Sequence, residues 1–131
     1  MDDSVFASYI EDLSAQQAST IAMIRTIVTV NAPQLQESIN NGRWLSNYLF
    51  YSADSSMIYA IGPKAANKIA FHMMPYYGSA LLQEKYGEQL GPYLTGKSCA
   101  TFKNPEQVPI AVLEDIVASG TGPMIELMKH R

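Results

Sequence analysis

Apolar residues recur at helical spacing in the first quarter of the chain. The pattern predicts a helix over residues 3–13, and a second helix over residues 15–31. Ser14 and Gln17 have the spacing of a capping box for the second helix. Pro33 ends that helix or opens one further turn within "PQLQESI". The apolar stripes are Phe6, Ile10 and Leu13 in the first helix, and Ile21, Ile24 and Val28 in the second.

The period then changes to one that is typical of strands. Residues 43–53 and 56–62 are rich in aromatic and branched side chains on either side of "DSS", which predicts a β-hairpin. Residues 67–74 and 98–102 are predicted to form a third and a fourth strand. In the third strand, alternation places Ile69, Phe71 and Met73 on one side and Ala70, His72 and Met74 on the other.

Helices are predicted again over residues 78–90 and 105–120, the latter opened by a proline and closed by Gly120. The resulting order, α-α-β-β-β-α-β-α, predicts an α+β fold. We expect a mainly antiparallel sheet of about four to six strands with helices packed on one face. Residues 1–131 are interpreted as a single domain, with a core over 5–119 and a tail over 120–131 that holds one short helical piece.

Composition narrows the classes of partner and the compartment. The net charge is −3 and the basic residues are scattered, which argues against a nucleic-acid partner. Cys99 is the only cysteine, and a lone cysteine suits a reducing compartment. The N-terminus lacks the pattern of a signal peptide, and no apolar run approaches the length of about 20 residues that a membrane span needs. We therefore expect a cytoplasmic protein with no membrane partner.

A long collinear pattern resembles the YdhG-like family of domains of unknown function. It comprises "YIEDL", "MIRTIVTVNAPQLQESI", a short aromatic hairpin, "KIAFHMMP" and "KYGEQLGPYLTGKSCATFKNPEQVPIAVLEDIV", and it covers about residues 5–119. Many members carry a W-G-x-P segment after the second helix, whereas this chain reads "NGRWLSNY" and keeps only Trp44. The resemblance implies a small cytosolic α+β fold that has been compared with frataxin. It implies no settled reaction, although some members are described as frataxin-like iron chaperones.

The sequence offers two sets of candidate metal ligands, one of carboxylates and one of softer side chains. Iron binding of the frataxin sort needs a ridge of carboxylates, but Asp3 and Glu11 are eight residues apart and cannot share one ion. The first helix region offers only four acidic residues, Asp2, Asp3, Glu11 and Asp12. No spacing supports a softer site built from His72, Met73, Met74, Cys99 and His130. No metal and no cofactor are therefore predicted.

Two of these residues, Cys99 and His72, are also the candidates for catalysis. Cys99 and His72 are the minimum for a thiol nucleophile, and Lys97 lies close enough in sequence to lower a thiol pKa. The alternative is that Cys99 is a small buried hydrophobic residue, which is its commonest role. The segment "GPYLTGK" is not a phosphate-binding loop, because its first glycine is misplaced and a strand follows. Lys97 could still meet an anion at the sheet edge, and no catalytic residue is predicted.

Eight tyrosines against four phenylalanines suggest that many rings end at water, at a groove or at a partner. If a ligand site exists, we expect it where the glycine-rich segment meets the hairpin. Its candidate residues are Trp44, Tyr48, His72, Lys97 and Cys99. The sequence thus favours a non-enzymatic module that binds a small ligand or another protein and self-associates. The alternatives are a frataxin-like iron-binding chaperone and a small thiol-dependent enzyme.

Overall fold

The computed structural model describes residues 1–129, so His130, a candidate metal ligand, lies outside the described residues. The fold is α+β, as predicted: helices pack against one antiparallel sheet of five strands. The helices are α1 (Asp3–Ile10), α2 (Ala15–Asn31), α3 (Met74–Tyr77), α4 (Ala80–Leu90) and α5 (Ile110–Lys129). The strands are β1 (Gln36–Ile39), β2 (Leu49–Ala53), β3 (Ser56–Lys64), β4 (Lys68–Met73) and β5 (Cys99–Phe102).

The sheet is a simple meander in which each strand pairs antiparallel with the next, in the order β1-β2-β3-β4-β5. Its register aligns one row of residues across all five strands: Ser38, Phe50, Ala60, His72 and Cys99. Side chains of directly opposed residues share a face and lie about 5 Å apart at Cβ. This row therefore projects from a single face of the sheet.

The opposite face of the sheet carries the core. Its buried side chains come from every strand except β1 and include Leu49, Tyr51, Tyr59, Ile61, Ile69, Phe71, Met73, Ala100 and Phe102. They pack against the predicted stripe of α2 and against α5, whose buried side chains include Leu113, Ile116 and Val117. Alternation in β4 is confirmed as far as Met73, because Ile69, Phe71 and Met73 all belong to this core. Met74, which was expected on the opposite side, begins α3 and packs against the same core. Helices thus cover one face, which we call the inner face.

The first departure from the sequence prediction is β1. Residues after Pro33 were expected to end α2 or to add a helical turn, but Gln36–Ile39 is an edge strand paired with β2. Four residues, mostly polar, show no readable period, so only pairing with a distant segment makes them a strand. β2 also begins later than predicted, at Leu49 rather than residue 43.

The second departure is the end of the last helix. Gly120 was predicted to close it, and this prediction is wrong, because α5 continues from Ile110 to Lys129 and has Pro123 in its interior. Residues 120–129 are therefore the second half of α5 rather than a separate tail. Gly120 and Met124 are buried, so tertiary contact sustains the helix beyond its local stop signals.

Candidate functional site

The face of the sheet opposite the helices, which we call the outer face, holds four of the five predicted site residues. The ring centroids of Trp44 and His72 are 6.3 Å apart, and those of Tyr48 and His72 are 6.0 Å apart, both edge-on. Cys99 is the register partner of His72. Residues separated by up to 55 positions are thus brought together by the meander and by one loop.

The loop that carries Trp44 is held by one asparagine. The Asn40 side-chain amide donates to the carbonyl oxygens of Trp44 at 2.7 Å and of Leu45 at 3.1 Å. Leu45 and Asn47 adopt positive φ angles of 53° and 66°, which turn the chain back toward β2. The loop is therefore ordered enough to present the Trp44 ring, whose residue is 64% exposed.

Tyr48 lies flat on the outer face because Gly62 has no side chain. A Cβ atom at Gly62 would fall 2.2 Å from Cδ1 of Tyr48, far inside van der Waals contact. Tyr48 packs there with Ala60, Ala70 and Cys99 in a small buried cluster. The small residues of β3 and β4 thus make room for the Tyr48 ring, which lies edge-on to His72.

His72 is half-buried between these rings. Burial lowers the pKa of His72, and the positive charge of Lys64 lowers it further. The imidazole is therefore neutral near pH 7, with one nitrogen that donates a hydrogen bond and one that accepts. Burial also raises the pKa of the Tyr48 hydroxyl, and the neighbouring Cys99 adds to that effect.

Cys99 is only 8% exposed, and its Sγ lies 3.9 Å from the Ala100 carbonyl oxygen. A thiol nucleophile must be exposed to its substrate and lie within hydrogen-bond reach of a base, here His72. The thiol instead fills space beneath Tyr48, as expected for a small buried hydrophobic residue. The structure thus gives the thiol-enzyme alternative no support.

Lys97 is not brought to the ring cluster. It is exposed, two residues before β5 begins, and it lines a recess of about 430 Å³ with Tyr76, Tyr77, Gln83, Leu94 and Gly96. That recess lies beside α3, at the end of β4 that follows His72. Lys97 is therefore a neighbour of the outer face rather than part of its aromatic cluster.

Sequence reasoning missed an apolar groove on the helical side. The groove has a volume of about 340 Å³ and lies between α3, α4 and the second half of α5. Leu81 and Leu127 flank it and are 73% and 56% exposed. Their large exposed side chains were the available signal, but the groove exists only because α5 continues past Gly120. Its other walls include Pro75, Leu82, Pro123 and Met124.

A second missed feature is an ionic network on the inner side of β1. Glu37 accepts hydrogen bonds from Arg25 at 2.9 and 3.0 Å and from the Tyr51 hydroxyl at 2.5 Å. Burial of Glu37 opposes ionisation, but the hydrogen bonds from Arg25 and Tyr51 outweigh it and lower the pKa of Glu37. The arrangement is fully paired and ties β1 to α2, so we assign it a structural role. It was missed because β1 itself was missed.

The described residues contain no cluster of candidate metal ligands. Within residues 1–129, no group of three or more His, Cys, Asp or Glu side chains is placed to hold an ion. The iron-binding alternative therefore rests on the resemblance alone. Across the same residues, no helix is long and apolar enough to cross a membrane.

Comparisons of this chain with family models, with curated proteins and with solved structures found no significant match. The resemblance to the YdhG-like family accordingly stays a prediction.

Proposed function

We propose that this protein is a non-enzymatic binding module and that the outer face of its sheet is the binding surface. The observation that carries the proposal is the position of Trp44: a large apolar ring, mostly exposed, that a hydrogen-bonded loop holds edge-on to His72. A tryptophan at the surface of a folded domain leaves a large apolar area in water, and such rings are enriched in binding surfaces. A cytoplasmic location is part of the proposal, because a lone reduced thiol suits a reducing compartment.

The arrangement favours binding over catalysis. The neutral imidazole of His72 can orient a polar group, and the rings of Trp44 and Tyr48 offer flat apolar contact. The thiol is buried under Tyr48 and is poorly placed to attack a substrate. A ligand would therefore be held by stacking and by a small number of hydrogen bonds.

The test uses the single tryptophan of the chain as a reporter. Because Trp44 is the only tryptophan, a ¹H–¹⁵N spectrum contains one indole N–H signal, which reports this surface alone. We expect a cleared cell extract to shift that signal and the backbone signals of the row through Phe50, His72 and Cys99. Trp44→Ala should abolish the backbone shifts, whereas Val30→Ala, which removes an exposed apolar side chain from α2, should leave them intact.

Two outcomes of the cell-extract experiment would contradict the proposal. If the extract shifts only signals of α3, α4 and α5 and leaves the Trp44 indole unchanged, the outer face is not the binding surface. An extract that shifts nothing in the protein likewise contradicts the proposal.

Self-association through the helical groove is the second candidate. The exposed Leu81 and the groove it borders belong to one surface, so a second copy related by a two-fold axis can place its Leu81 in the first copy's groove. Exposed charges of both signs, including Glu84 and Lys85 on α4, allow ion pairs at the rim of such a contact. The occupant we propose is therefore another molecule of this chain.

A further inference from the structure

The outer face is free of carboxylates along its strands. Register and alternation give it two central rows, one through Phe50, Ala60, His72 and Cys99, and the next through Tyr48, Gly62, Ala70 and Thr101. Glu37 is the only acidic residue within the five described strands, and it points to the inner side, where it meets Arg25. No acidic side chain of the strands therefore opposes an anion on the outer face.

Basic residues border that same face. Lys64 and Lys68 are register partners at one end of β3 and β4, in line with the outward positions Gly62 and Ala70. Arg43 adjoins Trp44 in the loop over the face, and Lys97 lies near the other end of β4. Lys64 lies on the same outward-facing side of β3 as Ala60, the register partner of His72, and its positive charge lowers the pKa of His72.

Most of the acidic residues lie on the helical side instead, the exceptions being Glu37 of β1, Asp54 of the β2–β3 turn and Glu106 after β5. Those on the helical side lie in or beside α1, α4 and α5. The members of this group are Asp2, Asp3, Glu11, Asp12, Glu84, Glu88, Glu114, Asp115 and Glu126. The net charge of −3 is thus a sum over surfaces that differ in their local charge. The net charge argues against a nucleic-acid partner only for the molecule as a whole, whereas the local charge decides which surface an anion approaches.

Stacking rings flanked by Lys and Arg are the recognition chemistry of unpaired nucleotides. Aromatic side chains stack on bases, and a positive track follows the phosphates. Duplexes present no free base face, and small molecules are usually held in concave pockets, whereas Trp44 stands on an open surface. We propose that the outer face binds a short segment of single-stranded nucleic acid, with a base on Trp44 and phosphates near Lys64 and Lys97. This inference rests on the proposed function and names its ligand.

The probe is an unlabelled eight-nucleotide oligouridylate, titrated into the whole protein at low salt while Trp44 fluorescence is recorded. We expect quenching, since a stacked base contacts the indole directly. Affinity should fall as salt rises, because bound phosphates release counterions. A duplex of the same length, uridine monophosphate and polyglutamate are the comparison ligands, and each should bind at least tenfold more weakly.

Matched variants localise the contact, with a fluorescein-labelled oligouridylate as the probe. Trp44→Ala should weaken binding by about fivefold to a hundredfold, the range that stacking of one base supplies, while Trp44→Phe should keep most of the affinity. Lys64→Glu and Lys97→Glu should each weaken binding and reduce the dependence on salt by about one phosphate contact. Lys129→Glu, at the exposed end of α5, makes the same charge change on the helical side and should leave affinity unchanged.

Several results would overturn the inference. They are no binding of the oligouridylate, equal binding of the duplex, of polyglutamate or of uridine monophosphate, and an affinity that Trp44→Ala and Lys64→Glu leave intact. The cell-extract experiment tests the proposed function separately from the oligouridylate titration. If a cell extract shifts the Trp44 indole signal while the oligouridylate does not, the outer face is a binding surface for another ligand. If neither shifts it, both proposals fall.

Discussion

His72 is the residue that links the aromatic cluster to solution conditions. It contacts the rings of Trp44 and Tyr48 edge-on, lies opposite Cys99 and feels the charge of Lys64. A protonated imidazole beside an indole quenches its fluorescence, whereas a neutral one does so far less. The optical signal of the only tryptophan therefore reports the protonation of one histidine.

The first prediction follows from that contact. As pH falls, Trp44 fluorescence should decrease through a single transition whose midpoint lies below 6.5, the usual pKa of histidine, because burial disfavours the charged ring. His72→Gln should remove the transition, and a pH titration of both proteins checks it. A midpoint at or above 6.5 in the wild-type protein would contradict the burial of His72 described above.

The free energy of unfolding should also depend on the protonation of His72. The pKa of His72 is lower in the folded state than in the unfolded chain, so the unfolded chain binds more protons between those two values. The favourable contribution is present above pH 6.5 and is lost as pH falls through the folded pKa. Urea unfolding between pH 7.5 and pH 5 should show this loss, and His72→Gln should make the curve flatter across that window. An unchanged slope in the variant would assign the loss to other groups.

At the scale of elements, α5 shows how a contact overrides a local stop signal. Gly120 lies where α3 crosses α5: a Cβ there would fall 2.8 Å from Cβ of Pro75. Gly87, in the interior of α4, is different: a Cβ there would lie 3.9 Å from the Tyr76 hydroxyl oxygen, which is ordinary contact. The close approach of α3 and α5 requires a glycine at 120, whereas α4 does not require one at 87.

This pair gives a prediction with opposite signs. Gly87→Ala should raise the free energy of unfolding by about 0.5–1 kcal/mol, since alanine is the better helix former. Gly120→Ala should lower it by about 1–3 kcal/mol, because the added methyl overpacks against Pro75. Urea unfolding of the two variants is the measurement. Equal stabilisation by both changes would show that α3 does not press on α5 at Gly120.

The ionic network around Glu37 adds to the β1–β2 pairing in holding the edge strand β1. Glu37 is paired with Arg25 and Tyr51, and its side chain is 9% exposed. Glu37→Gln should lower the free energy of unfolding at pH 7 by about 2–3 kcal/mol, because the partly buried Arg25 loses its charged partner. Glu88→Gln, an exposed change on α4, is the control and should have little effect. A loss no larger than that of the control would make the network dispensable.

At the scale of the whole molecule, two surfaces with different chemistry lie on opposite sides of the core. The outer face is aromatic and bordered by basic residues, whereas the helical side is acidic and carries the apolar groove. One molecule can therefore engage a ligand on its sheet and another copy on its helices without competition between the two.

The groove proposal predicts a concentration-dependent mass. Sedimentation velocity of the wild-type protein should show a dimer that Leu81→Lys converts to monomer, because the charge would be buried in the contact. Val30→Lys, equally exposed on α2 and away from the groove, should leave the dimer intact. A wild-type protein that stays monomeric at high concentration would remove this candidate.

Local sequence signals correctly predicted the elements that depend only on a short segment of the chain. The capping box at Ser14 and the apolar period determine α2 from Ala15 to Asn31, as predicted. Alternation in β4 correctly placed Ile69, Phe71 and Met73 in the core, which left His72 on the other side. The candidate cluster of Trp44, Tyr48, His72 and Cys99 was named from the sequence because aromatic and polar residue types could be read directly.

Tertiary structure decided what depends on distant partners. β1 exists because it pairs with β2, and α5 runs past Gly120 because α3 packs on it. Trp44 lies over His72 because its loop is tied by Asn40 and by the Tyr9 hydroxyl, which donates to the Asn47 carbonyl oxygen from 38 residues away. Neither the separation of charge nor the groove can be read from periodicity, because both arise from which sides of different elements the fold brings together.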